Sequence, residues 1–205
     1  MGLGEIETER YERELKLSGK TLLYNRKIFR TALREIRTLT VLDPAEFQPK
    51  IMELCLRAGV FLVFVPAIPK ARVSGMTRWW RKDRPLIQLS LFGKSNDRFW
   101  FTFFHETAHL LFHDEKKQKI HLDENYEYAT DDPVEIEANE WASEILIPQI
   151  YEPNLRLLKS KAAVRNFASQ IEIHPGIVVG QLQHRKLVPY SWMNDLKDTF
   201  TFVDE

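Results

Sequence analysis

One cysteine, Cys55, in 205 residues excludes an intrachain disulfide and any cysteine-built metal cluster. Net charge is also missing, because 29 basic side chains balance 29 acidic ones. That balance argues against a protein built mainly to hold phosphate backbones and leaves room only for local basic patches. No uncharged run approaches the roughly 20 residues of a membrane span, and no basic–apolar–small pattern at the N-terminus reads as a signal peptide. A cytoplasmic protein with no membrane partner is therefore expected. Internal repeats and low-complexity stretches are lacking as well. What is present is an ordinary globular composition, 44% hydrophobic and 28% charged, with length for one domain and an appended subdomain.

Periodicity divides the chain into three parts. Residues 1–42 read as a helical N-terminal arm of mixed charge, with Leu22, Phe29, Leu33 and Ile36 at helical spacing and a soft break at Ser18–Gly19. Residues 43–150 read as the core. It holds a helix over 43–58 closed by Gly59, a buried strand over 60–66, a hairpin of 72–80 with 86–92, and two further helices. The second of these spans 133–147, with Pro133 at its start and Pro148 after its end. Residues 151–205 read as a C-terminal helical subdomain with short helices near 161–170 and 176–185.

The first of the two core helices contains FWFTFFHETAHLLFH, residues 99–113. At about 100° per residue, Thr102, His105, Glu106, His109 and His113 share one arc of about 100°, and aromatic rings and leucines cover most of the rest. A buried helix with one polar seam turns that seam toward a cleft or an ion. His105 and His109, one turn apart, are placed to share one metal. Glu106 sits to one side, where it reaches a water rather than the ion. A satisfied pair of core histidines is the alternative.

A catalytic zinc takes three protein donors and keeps one position open. His113 lies well round the helix from His105, which makes it, with Thr102, a lining residue of the cleft. In PVEIEANEWASEILIP, Glu137, Glu140 and Glu144 form a solvated acidic stripe, whereas Glu135 falls inside the apolar arc between Ala142 and Leu146. A carboxylate there is costly unless paired or bound to metal. Glu135 is thus the expected third ligand and Glu137 the second choice. Asn139, one turn on, is placed to accept the ring N–H of a ligand histidine.

HETAH followed by EIEANEWASEILIP resembles the ImmA/IrrE family of zinc metallopeptidases, and the similarity extends over about residues 50–195, including GMTRWW, PLIQLSL and PGIVVGQLQHRKLVP. The resemblance implies an α+β fold of zincin-like type, a small mixed or antiparallel sheet packed on the HExxH helix. It gives Glu135 and Asn139 the places of third ligand and supporting residue. It also implies Zn2+ as cofactor and a helix-turn-helix repressor, or an antitoxin, as protein substrate. The branch it most resembles carries an XRE-type DNA-binding domain ahead of the peptidase. None is evident in residues 1–42, so the chain reads as the peptidase part of a longer protein.

On this reading, Glu106 takes a proton from water attacking a peptide carbonyl and passes it to the leaving amine. The oxyanion needs a further partner, for which His113, His121, Tyr126 and Tyr128 are candidates. The strand over 86–92 is either an edge that a substrate strand extends or an internal strand. Trp79 and Trp80 among Arg78, Arg81, Lys82 and Arg84 are a hairpin tip or a stacking patch for nucleic acid. Residues 167–186 have helix-turn-helix phasing, with Ala168, Ile171, Ile173, Val178 and Leu182 at the apolar places. A packing role that covers the cleft is preferred to DNA reading, so no nucleic-acid partner is expected for this chain alone. The other class of function is a metal-binding regulatory or antitoxin-like module without peptidase activity.

Overall fold

Asn25 opens the helix Arg26–Thr38 by accepting N–H bonds from Lys27 and Ile28 at 3.0 and 3.1 Å, the ordinary way of satisfying a helix start. In the computed structural model, residues 23–66, 74–81, 84–90, 95–113, 121–123 and 131–200, with positions 9 and 13, are described. The expectations for most of the arm before residue 23, for Lys82, Tyr126 and Tyr128, and for the side chains of Arg81 and His121 lie outside the described residues.

The elements are α1 (Arg26–Thr38), α2 (Pro44–Arg57), β1 (Phe61–Val65), β2 (Gly75–Arg81), β3 (Arg84–Ser90), α3 (Asn96–Phe112), β4 (His121–Asp123), α4 (Pro133–Leu146), α5 (Glu152–Leu155), α6 (Lys161–Gln170) and α7 (Pro175–His184). Short 3-10 turns cover Leu39–Val41, Gln149–Tyr151 and Asn194–Leu196. The fold is α+β, as the sequence implied. Among the described residues, four strands lie in the order β1-β3-β2-β4, with β1 parallel to β3 and the other two pairings antiparallel. The hairpin is therefore present, and β3 is an internal strand. The edge reading of residues 86–92 is corrected, because β1 and β2 occupy both sides of β3. Gly59 turns α2 into β1 at φ 75°, where a Cβ would lie 2.5 Å from the backbone of Leu23 and Tyr24. Both the positive φ and the close approach require glycine.

Every residue of α3 from Phe99 to Leu111 is buried. The helix lies on β2 and β3 and is flanked by α4 and α7. Trp100, Phe103 and Phe104 are fully buried, and each such side chain contributes about 1.5–3 kcal/mol relative to exposure. Phe47 on α2 fills the gap between Phe99, Trp100 and Phe200, with ring centroids 5.3, 4.9 and 5.3 Å away. One buried cluster joins α1, α2, α3, α4, α6 and α7. Arg37 ties α1 to the end of α4, donating from Nε to Ile145 O at 2.8 Å and from Nη2 to Leu146 O at 3.0 Å. No helix among the described residues is long and apolar enough to cross a membrane.

Two surface readings take physical form here. Trp79 packs edge-on against Tyr24, with centroids 5.5 Å apart, and Trp80 packs on Phe61 at 6.2 Å. Both rings are half-buried packing elements. In the helix-turn-helix phasing, Ala168, Ile171, Ile173, Val178 and Leu182 are all buried, but so are Gln181 and Gln183. Gln183 donates to the backbone of Tyr190 and Trp192 at 3.2 and 2.9 Å. The amides that would face a groove are therefore committed inside the protein.

Candidate metal centre

His105 and His109 are both 3% exposed on α3, and their Nε2 atoms stand 3.1 Å apart. The opposing surface is α4, where Ala138 and Ala142 are fully buried. Side chains this small allow the two helices to approach closely. The crossing is also fastened by Trp141 Nε1, which donates to Thr107 Oγ1 at 3.3 Å. Close approach brings in Glu135 from the first turn of α4. Its carboxylate oxygens lie 3.1 Å from His105 Nε2 and 3.7 Å from His109 Nε2. The Glu135 side chain is 26% exposed, so it forms the open lip of a site whose histidines are enclosed.

The donor chemistry suits a cation. Asn139 presents Oδ1 to His105 Nδ1 at 3.0 Å, and against that acceptor the ring keeps its proton on Nδ1. Nε2 of His105 is then a lone pair aimed at a second imidazole nitrogen and a carboxylate. All three donors lie within 4.8 Å of one another, and among the described residues His105, His109 and Glu135 are the only group of this kind. Electron-pair donors that converge on one point, two of them on enclosed imidazoles, fit a divalent metal ion.

Glu106 is fully buried and stands outside that donor set. Its carboxylate packs on β2 at Gly75, where a Cβ would come 2.7 Å from Glu106 Oε1 and 2.6 Å from Thr102 Cγ2. β2 is held there by Thr77, whose hydroxyl donates to Glu106 O at 3.1 Å. The absent side chain at Gly75 thus makes the space in which Glu106 and Thr102 sit. A lone glycine inside a strand pattern signals such a close approach, and the SGMT stretch carries it; nothing in the sequence marked Thr77.

Of the other candidates, Thr102 is buried beside Gly75. His113 lies one turn beyond His109, with 3.3 Å between their Nδ1 atoms. Glu137, the second choice for the third ligand, is 57% exposed and reaches His113 Nε2 at 2.9 Å. It stands outside the donor cluster. His184 approaches from α7 through Phe101, whose ring centroid is 6.0 Å from His184 and 6.4 Å from His105. Burial, with Arg185 beside it, lowers the His184 pKa.

A family model, Peptidase_M78, described as the IrrE N-terminal-like domain, matches residues 55–160, just over half of the chain. The chain belongs to this family. The match begins in α2 and ends before α6, and it contains all three candidate metal donors, Glu106 and Asn139. Among curated proteins, none matches the chain. Membership in the Peptidase_M78 family, together with the donor cluster, supports a function of the metallopeptidase type.

Proposed function

We propose that this chain is a zinc-dependent endopeptidase that works in the cytoplasm on a specific protein substrate, a transcriptional repressor or antitoxin. The observation that carries the reading is the division of labour on α3. His105 and His109 join Glu135 in the donor set, while Glu106, between them in sequence, is buried outside it. Two imidazoles and one carboxylate, with a position left over, are the usual complement of a catalytic zinc site. When bound, the ion supplies Lewis acidity toward a carbonyl oxygen and acidifies water to a pKa near 7.

The chain's own residues do the rest. Asn139 orients His105. Glu106 accepts a proton from the attacking water as its oxygen bonds to the peptide carbon, then delivers that proton to the amine nitrogen as the C–N bond breaks. Phe101, itself buried, packs beside His105 with ring centroids 6.4 Å apart and covers that side of the histidine. The repressor or antitoxin class of substrate rests on the family resemblance of residues 50–195.

The test is Glu106→Gln, assayed on purified candidate repressors with zinc present. The variant is expected to bind zinc as the wild type does and to cleave about 10²–10⁴-fold more slowly. If the wild type binds zinc yet cleaves no candidate, and Glu106→Gln behaves identically, a metal-binding interaction module replaces the peptidase.

A further inference from the structure

We infer that His113 and Glu137 form a positioning pair for the metal ligand His109, equivalent to the support that Asn139 gives His105. The inference rests on the metal-site reading above and adds to it the residues that fix the second imidazole. The geometry assigns the protons. His109 turns Nε2 toward His105 Nε2 and Glu135, at 3.1 and 3.7 Å, and a nitrogen that ligates a metal must offer a lone pair. The ring proton of neutral His109 is then on Nδ1, which lies 3.3 Å from His113 Nδ1. For that contact to be a hydrogen bond, His113 must accept on Nδ1 and carry its own proton on Nε2. Glu137 Oε2 stands 2.9 Å from His113 Nε2 to accept it. The direction of every bond in the chain Glu137–His113–His109 is fixed once His109 faces an ion.

Burial supports the assignment. The His113 side chain is only 9% exposed, whereas Glu137 is 57% exposed, so an enclosed ring links a solvated carboxylate to an enclosed ligand. The two elements also hold the ring from both sides. His113 caps α3, its N–H donating to His109 O at 3.1 Å, and Glu137 comes from the facing helix α4. A carboxylate behind a ligand histidine raises its basicity and fixes its ring plane, and loss of such support typically costs 10–100-fold in metal affinity. Here one histidine is interposed.

The test is zinc affinity by chelator competition on the full chain, with three variants. His113→Phe keeps a ring but puts carbon where Nδ1 was. His113→Asn restores an acceptor, Oδ1, at that place. Glu137→Ala changes only the exposed end. Zinc affinity is expected to fall about 10–100-fold in His113→Phe, to return to within about threefold of wild type in His113→Asn, and to fall several-fold in Glu137→Ala. In zinc-loaded wild type, the His109 Nδ1 proton is expected as a slowly exchanging imidazole signal by NMR, absent in His113→Phe. Equal affinities in wild type, His113→Phe and Glu137→Ala would overturn the inference, as would His113→Asn binding as weakly as His113→Phe. If His113→Phe does not fold, Glu137→Ala decides alone. Zinc binding absent from the wild type would instead overturn the metal site itself, and this inference with it.

Discussion

The two ends of α3 each carry a polar cluster against the apolar core, and they differ in what their atoms offer each other. At the N-terminal end, donors meet acceptors. His174 Nδ1 accepts from Gly176 N at 3.0 Å and from Asn96 Nδ2 at 2.6 Å, and its Nε2 lies 2.9 Å from Asp198 Oδ2. Lys197 Nζ spans Asp97 Oδ2 at 2.6 Å and Gln183 Oε1 at 2.8 Å. That cluster holds the segment around residues 194–200 onto the helix. At the other end, ring nitrogens of His105 and His109 and the Glu135 carboxylate converge within 4.8 Å of one another, a set that could hold a metal ion. A histidine in a polar cluster does not by itself mark a site; three side chains converging with metal-ligating atoms make a candidate.

The contrast is sharpened first by Gly75→Ala. A methyl group there meets Glu106 and Thr102 at under 3 Å, and overpacking of this kind costs about 1–3 kcal/mol. Thermal unfolding should register the loss. Because the metal donors are elsewhere, the variant should still bind zinc while turnover drops as Glu106 is displaced. A smaller effect is expected from His174→Ala at the opposite end, about 1 kcal/mol for a lost helix cap, with zinc affinity unchanged.

The smallest effect is one of pH, read on the metal-free chain. Burial lowers the His174 pKa from 6.5 against the opposing pull of Asp198, and burial with Arg185 lowers that of His184. Both rings therefore take up protons more readily when unfolded. Their contribution to stability is present above about pH 6.5 and is lost as pH falls from there through the native values. Denaturant midpoints between pH 7.5 and 5 should decline, and the decline should be shallower in His174→Ala.

Much of this architecture was legible in the residues. The polar seam of residues 102–113, with apolar rings elsewhere on the helix, required a buried helix with one functional side. A carboxylate at 135 inside an apolar arc required a partner. Pro133 and Pro148 bounded the second helix. Strand order was not legible, because periodicity records which face of a strand is buried and says nothing about its neighbours; β3 became internal only through β1 pairing parallel to it. The helix-turn-helix phasing of 167–186 located the buried apolar positions, but the same spacing serves a packing pair. The fate of Gln181 and Gln183 depended on the later segment near Tyr190 and Trp192. The partnership of His113 with Glu137 depended on the α3–α4 crossing, which is set by Ala138, Ala142 and Trp141 together.

On the proposed reading, the C-terminal half of α3 and the first turn of α4 hold one divalent ion. Metal analysis of the purified, zinc-reconstituted chain beside Glu135→Ala tests it most directly. The wild type is expected to carry zinc in a one-to-one ratio, and the variant to bind it on the order of a thousandfold more weakly, having lost one of three protein donors from a binding free energy of about 10–16 kcal/mol. Wild-type protein with no zinc after reconstitution, or zinc that stays equally tight without Glu135, would contradict the account.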